Sequence, residues 1–294
     1  MSKPPAKDVV LLNLCDINDI KALLARHGFH FSKSMGQNFL IEGWVPQDIA
    51  DASGAGQGAG VLEIGPGIGP LTAQLARRAE KVAAVELDTA LLPILTETLA
   101  EYDNVTIIPG DVMKLDLPAL VSEQFPGLTA MVCANLPYNI TTPVITLLLE
   151  SGLFSNLTVM IQKEVAQRIC AAPGSKDYGA FSVLCQYYAK TELLFEVPRE
   201  CFLPAPKVTS AVVRLTPCPS PECVHDKDLF FRVVRGAFGL RRKTLLNALS
   251  AAFPLEKESL RACIEAAGLS PEVRGEKLGI PEFARLADEI KKSL

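Results

Sequence analysis

The chain has 294 residues, of which 49% are hydrophobic and only 6% aromatic. This length favours one large domain with a smaller one beside it. Few aromatic residues and many Ala, Leu and Val residues favour helices packed on a sheet over an all-β sandwich. No apolar run approaches the roughly 18 residues of a membrane span, and no signal-peptide pattern is present. We therefore expect a cytoplasmic α/β protein that has no contact with a membrane.

The formal net charge of −4 argues against a nucleic-acid partner, because a surface that neutralises phosphates has to be basic. The average conceals an asymmetry, since residues 224–294 hold 13 Lys and Arg against 10 Asp and Glu. Five basic residues of that segment stand in a stretch without any acid: Arg232, Arg235, Arg241, Arg242 and Lys243. The pattern fits either a solvated helix face or an RNA contact.

Eight cysteines and three histidines raise the question of a metal site. No two cysteines stand in a C-x-x-C pair, and the histidines supply no second half of a zinc site. We expect no metal and reduced, mostly buried thiols.

The first predicted element in the chain is a short amphipathic helix over residues 20–26, which Gly28 ends. Five short apolar runs follow at spacings of about 20–25 residues. They cover residues 61–64, 82–85, 105–108, 131–134 and 157–161. Helical stretches fill the gaps between them, which is typical of a doubly wound parallel sheet.

Two further runs, 193–197 and 211–215, predict strands that pair antiparallel at the sheet edge and complete a mainly parallel seven-stranded sheet. The proline-rich stretch 217–221 then breaks regular structure. Beyond it, residues 229–249 and 260–267 have helical periodicity and no strand signal. We predict a catalytic domain over 1–218, which includes the N-terminal helix, and a small all-helical domain over 219–294.

A glycine-rich turn follows the first predicted strand, where a ligand sits in an open α/β sheet. Gly65, Gly67 and Gly69 lack a Cβ and permit positive φ, so the backbone can lie against a ligand. The dinucleotide fingerprint G-x-G-x-x-G would need glycine at position 70, where Pro70 stands. A nicotinamide or flavin cofactor is disfavoured accordingly.

Acidic residues end the next two predicted strands. The two oxygens of Glu86 can accept from both hydroxyls of a ribose, and Asp111 can accept from an adenine amino group. Taken alone, Glu86 could be an ordinary strand-end charge, and Asp111 could cap the next turn. Together with the glycine turn, they predict a phosphate-free, cationic nucleoside such as S-adenosylmethionine, which tolerates an acidic lining.

The fourth predicted strand ends in Asn135-Leu136-Pro137-Tyr138. An aryl amine is a poor nucleophile because its lone pair is delocalised, and methyl transfer develops positive charge on its nitrogen. The Asn135 oxygen and a backbone carbonyl of residues 136–137 could accept the amino hydrogens and stabilise that charge. Tyr138 offers a flat face for an unstacked base. The alternative is a proline turn with Tyr138 in the core.

Six sequence features together resemble the ribosomal RNA adenine dimethyltransferase family of Rossmann-like methyltransferases. They are residues 37–40 (Gln-Asn-Phe-Leu), the turn 63–72, Glu86, Asp111, residues 135–138, and residues 202–210 (Phe-Leu-Pro-Ala-Pro-Lys-Val-Thr-Ser). Within the family, the chain resembles the small-subunit branch more than the macrolide-resistance branch that acts on the large subunit.

The resemblance implies two methyl transfers from S-adenosylmethionine to N6 of each of two adjacent adenines, in a hairpin near the 3′ end of 16S rRNA, leaving S-adenosylhomocysteine. It implies cofactor contacts at Asn38, Leu40, Gly65, Gly67, Glu86, Leu87, Asp111, Val112 and Asn135. It also places catalysis at Asn135, Leu136, Pro137, Tyr138 and Phe202, where Phe202 helps Tyr138 to hold the base. The alternative for Phe202 is a core phenylalanine.

The resemblance also associates Arg241, Arg242 and Lys243 with RNA, and Lys163, Arg168 and Lys207 could add phosphate contacts. Because the chain is acidic overall, we expect recognition of a shaped, assembling 30S particle rather than of naked RNA. We expect the protein to be a monomer.

Three alternatives remain at this point. The same chemistry would serve an adenine-N6 methyltransferase that acts on large-subunit RNA or on DNA. A ribosome-assembly checkpoint protein would retain the basic helical domain and could dispense with Glu86 or Asn135, which are both intact. A small-molecule methyltransferase is disfavoured by Tyr138, Phe202 and the basic segment.

Overall fold

The computed structural model describes residues 12–31, 37–240 and 242–294. Its strands are β1 (Phe39–Leu40), β2 (Ala59–Ile64), β3 (Lys81–Glu86), β4 (Val105–Pro109), β5 (Thr129–Asn135), β6 (Leu157–Gln162), β7 (Ala189–Val197), β8 (Phe202–Leu203) and β9 (Ser210–Pro217). Seven of them form one sheet in the order β4-β3-β2-β5-β6-β9-β7, and β1 pairs separately with β8.

The sheet is mainly parallel where it bears on the site. β2 runs parallel to β3 and to β5, and β3 runs parallel to β4. Every residue of β2 is buried, as expected for a strand that helices cover on both faces. The five predicted apolar strands are confirmed as β2 to β6. β7 and β9 are neighbours with β7 at the edge, so their predicted position in the sheet is confirmed as well.

The helices are α1 (Ile17–Arg26), α2 (Trp44–Ser53), α3 (Pro70–Ala76), α4 (Leu92–Thr98), α5 (Leu117–Gln124), α6 (Thr141–Ser151), α7 (Lys163–Ile169), α8 (Ala180–Tyr188), α9 (Lys227–Gly239), α10 (Leu245–Ser250), α11 (Lys257–Ala266) and α12 (Ile280–Lys291). α1 confirms the predicted N-terminal helix and begins three residues earlier. It does so because Oδ1 of Asp16 accepts the N–H groups of Asn18 and Asp19 at 2.8 and 3.0 Å. None of the described helices is long and apolar enough to cross a bilayer.

The stretch 229–249, for which the sequence predicts helical periodicity, is divided between two helices. α9 ends at Gly239, where Leu240 leaves helical geometry with φ −123° and ψ 70°. Thr244 then caps α10, since its hydroxyl accepts the Asn247 N–H at 3.5 Å. Apolar residues on both sides of the break enter one core, so their spacing conceals the interruption. α12 had no counterpart among the predicted elements.

The chain divides into two compact units. The first comprises the described residues of 1–139, 158–160 and 197–210, with a core that includes Ile20, Leu23 and Ile94. The second comprises 140–157, 161–196 and the described residues of 211–294, with a core around Phe230 and Phe283. The described residues after 218 form helices and turns without a strand. The division of domains at 218/219 stays a prediction.

Candidate active site at the carboxyl ends of the parallel strands

The residues predicted to bind a cofactor lie at one edge of the sheet. β4, β3, β2 and β5 are neighbours that run in the same direction, so the ends of these strands meet there. The chain leaves β2 toward β3 on one side, and β5 lies on the other. Between β2 and β5 is therefore the switch point at which open α/β sheets bind ligands.

The glycine turn after β2 is fixed in a conformation that side chains disfavour. Gly65 and Gly67 have φ values of +70° and +63°. A Cβ on Gly65 would lie 3.7 Å from the Pro137 ring, and one on Gly67 would lie 3.3 Å from the Phe39 ring. The turn therefore runs between the segment after β5 and β1, with no room for a side chain at Gly67 unless Phe39 shifts.

Glu86 ends β3 with only 6% of its surface exposed. Burial raises the pKa of its carboxyl, and the backbone N–H groups of Asp88, Gly67 and Leu87 oppose this shift. The Asp88 N–H donates to Oε1 at 2.8 Å. Leu87, by contrast, is 53% exposed. A side chain that is to cover a ligand has to be exposed before the ligand binds, so a contact at Leu87 stays a prediction.

Asp111 follows β4 and the residue Gly110, whose N–H donates to the Glu86 carbonyl at 2.8 Å. Oδ1 of Asp111 accepts the Met113 N–H at 3.0 Å, and Oδ2 lies 3.6 Å from Nζ of Lys114. The carboxylate thus caps its own turn, as the alternative from the sequence had it. Val112 beside it is buried. An adenine contact at Asp111 stays a prediction.

Glu63 is a buried acid that the sequence did not single out. It lies in β2, 1% exposed, and burial raises the pKa of its carboxyl to about 8, a shift to which the Glu86 charge adds. Within the described part of the chain, neither Oε2 of Glu63 nor the Thr72 hydroxyl has a hydrogen-bond partner. A single acid inside an otherwise apolar strand is the signal that could have revealed it.

The four residues after β5 are held by the sheet itself. The Leu136 N–H donates to the Met160 carbonyl of β6 at 3.1 Å, and the Leu136 side chain is 1% exposed. Asn135 is half-buried. This arrangement fixes the backbone that follows Asn135 at the same edge as Gly65 and Glu86.

Tyr138 is half-buried, and its hydroxyl shares a hydrogen bond of 2.7 Å with the buried Ser210 hydroxyl. Burial raises the pKa of this phenol, and the hydrogen bond with Ser210 offsets part of the shift. The phenol therefore stays protonated near neutral pH. The hydrogen bond anchors the phenol oxygen, and the residue remains partly accessible.

β1 brings two predicted groups of residues together. Its antiparallel pairing with β8 sets Leu40 opposite Phe202 and Phe39 opposite Leu203, and Asn38 directly precedes it. Phe202 is only 3% exposed. Its ring offers little surface for a base, so a stacking role stays a prediction beside the alternative of a core residue.

The basic residues predicted to contact RNA are mostly at the surface. Lys163 begins α7 and forms an ion pair with Glu196 at 2.7 Å, which reduces its availability for phosphate. Arg168, Lys207, Arg242 and Lys243 are exposed, whereas Arg241 lies outside the described residues. Arg232 and Arg235 line a cavity of about 340 Å³ beside α9 and α10, and the Arg232 guanidinium lies 4.5 Å from the Phe253 ring centre.

The described residues contain no group of three or more His, Cys, Asp or Glu side chains that could hold a metal ion. All eight cysteines are unpaired thiols.

Two solved structures resemble the chain closely enough to define its class. A dimethyladenosine transferase from Plasmodium falciparum is 27% identical with a TM-score of 0.71, over 86% of this chain and 97% of that one. The 23S rRNA methyltransferase ErmE is 25% identical with a TM-score of 0.64, over 86% and 100% of the two chains. The fold is thus that of a Rossmann-like methyltransferase.

The sequence comparisons narrow this class to one family. The profile of the family described as "Ribosomal RNA adenine dimethylase" matches residues 28–292. Proteins called "Ribosomal RNA small subunit methyltransferase A" from Geobacillus thermodenitrificans and Alkaliphilus oremlandii are 50% and 49% identical, over 92% and 93% of this chain and 94% and 96% of theirs. The chain belongs to the ribosomal RNA adenine dimethylase family, as its motifs predicted.

Proposed function

We propose that this protein uses S-adenosylmethionine to dimethylate N6 of two adjacent adenines in the 3′-terminal hairpin of 16S rRNA. The observation that carries the proposal is the position of Asn135, which ends β5 beside the glycine turn at the ligand edge. The relatives named for the small ribosomal subunit support the choice of substrate.

The residues at the sheet edge fit this cofactor. A Cβ at position 67 would crowd the Phe39 ring, so the turn stays close to β1 only with glycine there, and the buried Glu86 is an acceptor suited to ribose hydroxyls. Glu63 supplies a buried oxygen without a partner in the described residues, next to that turn. The residues that would hold the cofactor are Asn38, Leu40, Gly65, Gly67, Glu86, Leu87, Asp111, Val112 and Asn135. When bound, the cofactor supplies an electrophilic methyl group on a sulfonium.

Asn135 and the peptide that follows act on the adenine amine. The Asn135 side-chain oxygen and the Leu136 or Pro137 carbonyl accept its two hydrogens, which directs the nitrogen lone pair toward the methyl group. The same two acceptors stabilise the positive charge that develops on the nitrogen. Because the methylated ammonium is acidic, water takes its proton and no side chain has to act as a base.

Tyr138 orients the base. Its hydroxyl is tied to Ser210, so the accessible part of the ring can receive an adenine that has left its stack. Phe202 is buried opposite Leu40, so it would support the site from the β1–β8 ladder and would stack on the base only if the ring became exposed.

The RNA partner is proposed to be the small-subunit rRNA inside an assembling 30S particle in the cytoplasm, bound by a monomer. Exposed positive charge at Lys207, Arg168, Arg242 and Lys243 supports phosphate contacts, and the net charge of −4 explains why the shape of the particle has to contribute.

The direct test is incubation with labelled S-adenosylmethionine and immature small subunits, followed by mapping of the modified nucleotides. We expect dimethyladenosine at two adjacent positions of the 3′-terminal hairpin. A parallel incubation with immature large subunits is the control, and label confined to large-subunit RNA would move the substrate to the other branch of the family. Particles that remain unlabelled but bind the protein tightly would indicate an assembly factor instead.

Charge reversal at Arg242 and Lys243 is expected to weaken binding to the ribosomal particle. The double variant Arg242→Glu/Lys243→Glu removes two phosphate contacts, so its affinity should fall and the slope of log affinity against log salt should decrease by about two. The control is Lys190→Glu/Lys257→Glu, which changes the charge equally at two exposed positions elsewhere. The measurement is the affinity of both variants for the particle from low to moderate salt. An equal loss of affinity in the two variants would contradict a specific contact at Arg242 and Lys243.

A further inference from the structure

Asp88 lies two residues beyond Glu86 and has a partner for each of its polar groups near the site. Its N–H donates to Oε1 of Glu86 at 2.8 Å. Its Oδ1 accepts the Ala90 N–H at 3.0 Å and so caps the short turn Thr89–Leu91. Its Oδ2 accepts from Nε2 of Gln37 at 2.6 Å. The first two bonds are local, whereas the third joins residues that are 51 positions apart.

The bond to Gln37 connects two walls of the site. Gln37 directly precedes Asn38 and β1, and β1 places Leu40 opposite Phe202. Asp88 in turn holds the carboxylate of Glu86. The chain of contacts therefore runs from the proposed ribose acceptor, through Asp88 and Gln37, to the strand that carries the other proposed cofactor contacts.

The strand β1 needs this attachment. It is two residues long, so its ladder with β8 supplies few backbone bonds. Phe39 adds a packing contact against the glycine turn. A hydrogen bond between a carboxylate and an amide, with both groups partly buried, is stronger than one between neutral groups and has a defined direction.

We propose that Gln37 is a positioning residue whose hydrogen bond to Asp88 holds Asn38 and Leu40 against the Glu86 turn and thereby sets the affinity for the cofactor. The inference rests on the proposed function, since it takes Asn38, Leu40 and Glu86 as cofactor contacts. Gln37 itself is not proposed to contact the cofactor. It acts through the residues that follow it and through Asp88.

Gln37→Glu tests the bond with a side chain of the same shape. The variant replaces the donor by a carboxylate that faces Asp88, so the attraction becomes repulsion. We expect the Kd for S-adenosylhomocysteine, measured by calorimetry, to rise about tenfold. We expect KM for S-adenosylmethionine to rise with it, while kcat at saturation changes much less. Gln47→Glu, at an exposed position of α2, adds the same charge and should bind as the wild type does.

A second substitution reverses donor and acceptor. In Gln37→Glu/Asp88→Asn, the new amide at position 88 can donate to the new carboxylate at position 37 while its oxygen still caps Ala90. We expect this double variant to recover the Kd to within about threefold of the wild type. Thermal unfolding of the ligand-free proteins shows that each variant is folded, and recovery in the double variant excludes a general loss of structure.

The outcomes separate the positioning role of Gln37 from the proposed function. Tight binding by Gln37→Glu, or no recovery in the double variant, would overturn the positioning role of Gln37 alone. A wild-type protein that binds no S-adenosylhomocysteine would overturn both the positioning role of Gln37 and the proposed cofactor.

Discussion

Asn135→Ala is expected to lower kcat by about 10²–10³-fold while the affinity for S-adenosylhomocysteine changes much less. The substitution removes one of the two acceptors proposed to direct the adenine lone pair and to stabilise the developing charge, and such a loss lowers the rate mainly through the transition state. Because Asn135 stands at the end of β5 and is only half-buried, its truncation leaves the sheet intact. Single-turnover methylation and calorimetry on the same samples measure the two quantities.

Two further variants make this test specific. Asn135→Asp keeps an oxygen acceptor and should retain more turnover than Asn135→Ala. Asn139→Ala truncates an exposed asparagine just beyond the tetrapeptide and should leave kcat unchanged. Undiminished turnover in Asn135→Ala would remove the proposed mechanism, and equal losses in affinity and turnover would make Asn135 a cofactor ligand alone.

Glu63→Gln is expected to stabilise the protein at alkaline pH. In the folded state the pKa of Glu63 lies at about 8, above the ordinary value of 4.5, because the carboxyl is buried. Between these two values the folded protein keeps a proton that the unfolded chain has lost. The stability contributed by the proton is complete below pH 4.5, falls as the pH rises, and is gone above about pH 8. The loss amounts to at most about 5 kcal/mol.

The measurement is urea unfolding of wild type and variant at pH 5 and at pH 8.5. We expect the difference between the two proteins to be small at pH 5 and to favour Glu63→Gln by several kcal/mol at pH 8.5. Glu86 also has a raised pKa, and it is present in both proteins. The control Glu123→Gln removes a carboxylate from the exposed side of α5. Parallel curves for wild type and Glu63→Gln would contradict a proton held at that position.

The sequence was sufficient for the elements whose pattern follows from burial. β2 and its neighbours are short apolar runs because helices cover both faces, and such runs stand out between polar turns. β1 and β8 are two residues each, too short for any period to be read, and they exist because residues far apart in the chain meet. The break between α9 and α10 was missed for the opposite reason, since the apolar spacing continues through it.

In the site, too, some features follow from the sequence pattern and others depend on contacts that only the folded chain makes. Gly65, Glu86, Asp111 and Asn135 could be grouped from the sequence because parallel strands deliver their carboxyl ends to one edge. The contact between Gln37 and Asp88 depends on two side chains that only the folded chain brings together. The pKa of Glu63 depends on its burial, which the sequence suggests only by the apolar residues around it. The ion pair of Lys163 with Glu196 is likewise a property of two exposed side chains.

The bond from the Leu136 N–H to the Met160 carbonyl bears on how the nucleic acid has to behave. It makes the peptide after Asn135 a continuation of the sheet, so the carbonyl proposed as an acceptor cannot follow a substrate that arrives in a different orientation. Under the proposed function, the adaptation falls to the RNA, whose adenine would have to leave its stack and reach that carbonyl. A hairpin loop, whose nucleotides unstack at low cost, meets this demand more readily than a continuous duplex does.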